Sequence, residues 1–176
     1  MYPFIRFAKE MAINARKPRL AFGATHVSHH ICWPWDLDAW MELNNGLTLT
    51  LFDLGRIPMV YRMGLIPLMR KNGWGMAVAG ASIRYRRRVR MFHRITMKSA
   101  VLGWDARFLY LQQSMWRKGE ATSSILVRIA ITGAEGIVPP AKAATILGWG
   151  DSPPPLPAYV EEWITAEAAR PWPPHL

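Results

Sequence analysis

The sequence predicts an α+β fold in which an antiparallel five-stranded sheet wraps around one long central helix. Three observations carry that prediction. Residues 45–71 form a helical run that is apolar on nearly every side, and a helix of that kind is covered on most sides by its own protein. Residues 83–91 alternate with period two, the repeat of a strand. Residues 95–131 divide into three strand-like stretches at two short breaks, Gly103–Ala106 and Arg117–Glu120.

Taken in order, the chain opens on a basic amphipathic segment, residues 1–19. Phe4, Ile5, Ala8, Met11 and Ala12 share one side of a short helix. Arg6, Lys9 and Glu10 interrupt the apolar core that a secretory signal needs. Packing against its own domain is the ordinary fate of such a helix, and contact with a membrane surface is the alternative. The main domain is expected over residues 20–148. Residues 20–32 alternate loosely and read as its first strand. His26, His29 and His30 lie on it. A strand rises about 3.3 Å per residue and alternates faces, so His29 and His30 point apart and His26 lies about 13 Å from His30. That spacing chelates a metal poorly, and no metal site is expected.

The central helix follows. Asn44 or Asn45 is a good N-cap, because its side-chain oxygen can accept from an unpaired N–H. Asp53, Arg56, Arg62 and Arg70 break the apolar run and exclude a membrane span. Pro58 is expected to kink or divide the helix, and Gly64 and Pro67 to weaken its end. Next, Ile83, Tyr85, Val89 and Met91 fall on one parity and Arg84, Arg86, Arg88 and Arg90 on the other, which predicts a strand with a basic face. A turn within the arginine run would break that register past Arg87. In the last of the three following strands, Ile125, Val127, Ile129 and Ile131 face one way, giving a meander with one wet face. Residues 149–176 form a Pro- and Trp-rich extension in which 158–170 can make a short helix and the final "RPWPPHL" is extended. A small sheet leaves its edges open, so a homodimer or a tetramer is expected.

Composition narrows the function classes. With 176 residues, 51% of them apolar, the chain is long enough for one domain with a real core. Its formal charge of +10 favours anionic partners. A single-strand nucleic-acid binder interleaves aromatic and basic residues on an open groove. Here the aromatic residues gather in the expected core and the extension, which disfavours nucleic acid. The one cysteine, Cys32, cannot pair within the chain. It suits a reducing compartment, so a cytoplasmic location is expected, and beside tryptophans it reads as a small core residue.

The segments "DLDAWMELNNGLTLTLFDLGR" (36–56), "GWDARFLYLQQSMW" (103–116) and "KGEATSSILVRIAI" (118–131) arrive in an order that resembles the hotdog fold of the 4-hydroxybenzoyl-CoA and acyl-CoA thioesterase-like proteins. The resemblance covers roughly residues 22–147. The first segment is the most specific: an acid pair, two asparagines, then a helix carrying an acid and an arginine. The resemblance implies hydrolysis of an acyl-CoA or acyl-carrier-protein thioester. Coenzyme A or a phosphopantetheine arm is then part of the substrate, and no separate cofactor is implied. Relatives commonly have Gly-His where Met41-Glu42 stand here, and a helix tyrosine where Thr48 stands. These departures keep a non-catalytic acyl-binding or scaffold protein as the alternative.

Thioester hydrolysis needs a group that stabilises the charging carbonyl oxygen and a carboxylate that activates water or attacks directly. A helix N-terminus supplies the first through unpaired N–H groups and its dipole. By resemblance, Asn45 offers that N–H, Asp38 is the base or nucleophile, and Asp53 is the helix acid, with Arg56 one turn on. Asp36, Asn44 and Trp40 belong to the expected binding mouth, where Trp33, Trp35 and Trp40 would line or plug an acyl pocket. Arg84, Arg86 and Arg88 are expected to hold the phosphates of the carrier. Aspartates and asparagines ahead of a helix are also ordinary caps, and an Asp53–Arg56 pair can simply secure the helix.

Overall fold

The structure is a computed structural model that describes residues 2–174. Its elements are α1 (Phe4–Ala15), β1 (His26–Ile31), α2 (Asn45–Arg62), α3 (Leu65–Asn72), β2 (Gly75–Tyr85), β3 (Arg94–Trp104), β4 (Phe108–Arg117), β5 (Glu120–Gly133), β6 (Gly136–Val138), α4 (Pro140–Leu147) and α5 (Ala158–Ala169). A single 3-10 turn, Pro34–Asp36, separates β1 from α2. The strands form one antiparallel sheet in the order β1-β3-β4-β5-β2, and β6 pairs with the end of β5.

The predicted architecture holds: the sheet curls around α2. Inward residues of β5, namely Ile125, Val127, Ile129 and Ile131, are buried, as the alternation requires. They meet Leu51, Phe52, Leu54 and Met59 of α2. Gly55 sets how close helix and sheet can come. A Cβ there would lie 2.4 Å from Met97 Sδ and 3.0 Å from Ser99 Oγ of β3. Met97 is itself fully buried, so it has little room to yield.

Four sequence expectations shift. The helical run 45–71 is divided, but at Gly64 (φ +86°) and not at Pro58, which stays buried inside α2. Gly64 takes a left-handed conformation that lacks the steric penalty other residues meet there, so the break falls on it. The first strand is shorter than 20–32, because Gly23 (φ +76°) sits in a turn and Leu20 N–H donates to the Arg62 carbonyl instead of a strand. The basic strand face ends at Tyr85. The N–H groups of Arg86 and Arg87 both donate to the Thr122 carbonyl, so the arginine run turns off the sheet into a loop. Finally, the outer face of the meander is not simply wet. Helix α5 lies on it, with Val160 fully buried and Trp163 edge-on to Tyr110. Arg128 of β5 ion-pairs with Glu167 of α5 at 3.2 Å. Helix α4 and strand β6 were not anticipated.

The strand histidines have hydrogen-bond partners. Among the described residues no cluster of metal-ligating side chains exists. His26 Nδ1 accepts from Arg62 Nη1 at 3.1 Å, and His30 Nε2 pairs with Ser28 Oγ at 2.8 Å. Burial and the neighbouring cations hold His26 down to about 4 and His30 to about 3. Cys32 is a buried core residue whose thiol burial pushes up to about 11.

Two predictions follow from this packing. Gly55→Val should overpack the α2–β3 contact and cost about 1–3 kcal/mol, read as a lowered denaturant midpoint. Acid should destabilise the fold through the two histidines. Their folded affinity for protons is below the unfolded one, so the unfolded state binds more protons as pH falls from about 6.5 toward 4, and stability drops in that window. Urea titrations at several pH values should show the slope, and His30→Gln should reduce it.

Candidate active site

The loop between β1 and α2 is built on two aspartates. Asp36 is buried. Its carboxylate accepts from Trp33 N–H at 2.9 Å and from Arg6 Nη1 of α1 at 2.8 and 2.9 Å. Its carbonyl accepts from Asn44 N–H at 2.9 Å. Asp36 thus ties α1 to the start of α2, and both its oxygens are occupied. Asp38 organises a tight turn: Oδ1 accepts from the N–H groups of Trp40 at 2.9 Å and Glu42 at 3.3 Å. Met41 adopts φ +58° within that turn. Trp33 and Trp35 stack on each other, and Trp35 and Trp40 are 67% and 80% exposed. None of the three indoles lines or seals the mouth of α2.

Asn44 is the N-cap, accepting from Gly46 N–H at 2.8 Å and Leu47 N–H at 3.2 Å. Asn45 is the first helical residue, and its carbonyl accepts from Tyr85 O–H at 3.2 Å. Around it lies a hollow of about 240 Å³, lined by Asn45, Thr48, Glu42, Ser123 and the loop arginines Arg86–Arg88. Arg88 ion-pairs with Glu42 at 3.1 Å and Arg87 with Glu120 at 2.6 Å, whereas Arg86 has no acidic partner among the described residues. The positive end of the α2 dipole adds to this field. The cup therefore suits an anionic group, or an oxygen that becomes one.

Asp53 and Arg56 sit about 12 and 16 Å further along α2 than Asn45, at 1.5 Å per residue. They ion-pair with each other on the helix. Arg56 Nη1 also donates to Gln113 Oε1 at 3.0 Å, and Gln113 Nε2 donates to the Phe52 carbonyl at 2.9 Å and to Ser99 Oγ at 2.8 Å. Burial raises the Asp53 carboxyl above the ordinary range, and Arg56 opposes that shift. Both residues edge a second, mostly apolar groove of about 380 Å³ between α2, α3 and β2, walled by Ile57, Val60, Met69, Trp74 and Val78.

Within one protomer, then, the structure gathers Asn45, Arg86 and Arg88 at one hollow and places Asp53 and Arg56 at another. Asp38 and Trp40 line neither. Arg84 opens onto a third hollow beside α5, with Tyr159 and Trp163. Sequence reasoning missed Arg87, Ser123 and Gln113. Gln113 had a signal: it occupies an inward parity of β4 with Leu109, Leu111 and Met115, where a polar side chain needs a partner.

Residues 32–164 match the family model described as the thioesterase-like superfamily, well over half of the chain. The chain belongs to the thioesterase-like superfamily. Among curated relatives, Protein THEM6 of Xenopus laevis is 34% identical over 88 residues, which is 50% of this chain and 42% of that protein. The chain thus spans under half of that relative. The probable thioesterase YbaW of Escherichia coli superposes with a TM-score of 0.65 at 14% identity, covering 69% of this chain and 95% of its own. A DHNA-CoA thioesterase of Staphylococcus aureus gives 0.62 at 12% identity, covering 82% and 91%. These similarities show that this thioesterase-like chain has the hotdog fold.

The polar lock between α2 and the sheet makes a measurable claim. Gln113→Met fills the same space but leaves the Phe52 carbonyl and Arg56 short of a buried partner. It should cost about 1–3 kcal/mol in chemical denaturation.

Proposed function

We propose that this chain hydrolyses acyl-CoA or acyl-carrier-protein thioesters. The observation that carries this reading is the arginine-lined cup at the N-terminus of α2, set in a thioesterase-like fold. Phosphates of the carrier would meet Arg86 and Arg88, displacing Glu42 from Arg88. The thioester carbonyl would lie against the N–H of Asn45, which takes no intrahelical acceptor. Asp38 would take a proton from water as hydroxide adds to the carbonyl carbon. The tetrahedral oxyanion then collapses, the C–S bond breaks, and the thiolate recovers the proton. The apolar groove beside Asp53 would take the acyl chain. A DHNA-CoA thioesterase among the structural neighbours supports a coenzyme A thioester as the substrate class.

The carboxylates and the cup lie apart in one protomer, so this reading needs a second copy to complete the site. Strand β2 is an open edge, with Val78 exposed on it. Pairing there would make the homodimer, and dimers could join further into a tetramer.

Thiol release from a panel of acyl-CoAs tests the proposal. Asp38→Asn keeps an oxygen to accept from Trp40 and Glu42, so the turn survives while the base is lost. It should lower kcat by about 10²–10⁴-fold with little change in KM. Arg86→Ala should instead raise KM. Tight acyl-CoA binding without thiol release would overturn hydrolysis and leave an acyl-binding protein.

A further inference from the structure

Helix α1 leaves more apolar surface outward than a helix that simply packs on its domain. A surface helix normally buries its apolar stripe and shows water its polar side. Here the inward side carries the buried Glu10 and Asn14 together with the half-buried Phe7 and Met11, and Arg6 grips Asp36. The outward side carries Phe4 and Ile5, 69% and 88% exposed, with Ala8, Ala12 and Ile13 also exposed. The Arg6–Asp36 pair and the packing of Phe7 on the core set this orientation, in which Phe4 and Ile5 face outward.

The rim of that stripe is cationic. Lys9, Arg16, Lys17 and Arg19 are all exposed. Glu10, the one acid between residues 2 and 25, is buried and paired with Lys9 at 3.1 Å. Beside the helix lies a hollow of about 500 Å³ lined by Lys9, His29, Trp33 and Arg94 among others, and no acid lines it. Arg94 has no acidic partner among the described residues.

These features select the occupant. A second copy docking face to face would bring the same cations together around a desolvated stripe, which is repulsive. An acidic lipid surface meets both demands: hydrocarbon for Phe4 and Ile5, and headgroup phosphate for the ring of cations. A twelve-residue helix is about 18 Å long, and among the described residues no helix is long and apolar enough to cross a membrane. We infer that α1 lies flat on an anionic bilayer, its Phe4–Ile5 stripe inserted at the headgroup boundary and its cations, with Arg94, on lipid phosphates.

Sedimentation of the 176-residue protein with vesicles tests this, using phosphatidylcholine alone and phosphatidylcholine with phosphatidylglycerol at 3:1. Binding is expected to the anionic vesicles and to fall steeply at 0.5 M salt. Ile5→Glu should lower the partition coefficient at least about tenfold. Lys9→Gln with Arg16→Gln should lower it by roughly fivefold per charge. Ile146→Glu, at an exposed apolar position of α4, should leave it unchanged. Circular dichroism confirms that each variant is folded. Three results would overturn the inference: no binding to anionic vesicles, equal loss in Ile146→Glu, or an Ile5→Glu variant that turns a dimer into a monomer by light scattering.

Discussion

Everything in this molecule is arranged around the close approach of α2 to β3. Gly55 lets the helix sink until Met97 and Ser99 lie against its backbone. That depth buries Leu51, Phe52, Leu54 and Met59 together, and it also strands backbone and side-chain polar groups away from water. Gln113 resolves the conflict by serving the Phe52 carbonyl, Ser99 and Arg56 at once. Apolar contact alone would let the helix slide or rotate. A four-way polar lock at one point of its length specifies its register, as buried polar groups do elsewhere when every member is satisfied.

That register is what aims the helix N-terminus. With Gly55 seated on β3, Asn45 emerges beside the loop 86–88, and the α2 dipole and three arginines share one small hollow. The same seating carries Asp53 further along the helix, beside the other end of edge strand β2. One helix thus presents a polar cup and an apolar groove at two separate positions. Under the proposed reading, a site that uses both would form between two copies, and β2 is an open edge of the sheet where such a copy would pair.

The architecture could be read from the sequence because period-two and all-round apolar patterns are properties of burial, and burial dominates the fold. Ile125, Val127, Ile129 and Ile131 fell where parity put them. The breaks were harder. Pro58 looked like the stronger breaker than Gly64, yet a proline costs a helix one hydrogen bond, whereas a residue at φ +86° redirects the chain. The turn expected within the arginine run comes at Arg86, earlier than the pattern indicated, because alternation persists through a turn: Arg86 and Arg88 kept their parity after the Thr122 carbonyl had pulled the loop off the sheet. At the site, the caps and the basic rim could be read from residue type. The absence of Asp38 from the lining of the cup, and the engagement of Asp36 by Arg6, rest on tertiary contacts that no local pattern encodes.

Helix α1 shows the limit most clearly. Its periodicity grouped Phe4, Ile5, Ala8, Met11 and Ala12 on one side, of which all but the half-buried Met11 are exposed, but a period says which residues share a side and not which side turns inward. That choice was made by the surface waiting beneath. Asp36 is a buried carboxylate that needs a cation, and β1 offers histidines held neutral by burial. An apolar stripe laid over them would leave the Asp36 charge unpaired, which costs more than leaving Ile5 in water. Arg6 therefore turned inward beside Phe7, and Phe4 and Ile5 were left outward. Polar demand beneath a helix can rotate part of its apolar surface into water, and the surface it then exposes is available to a partner less polar than water.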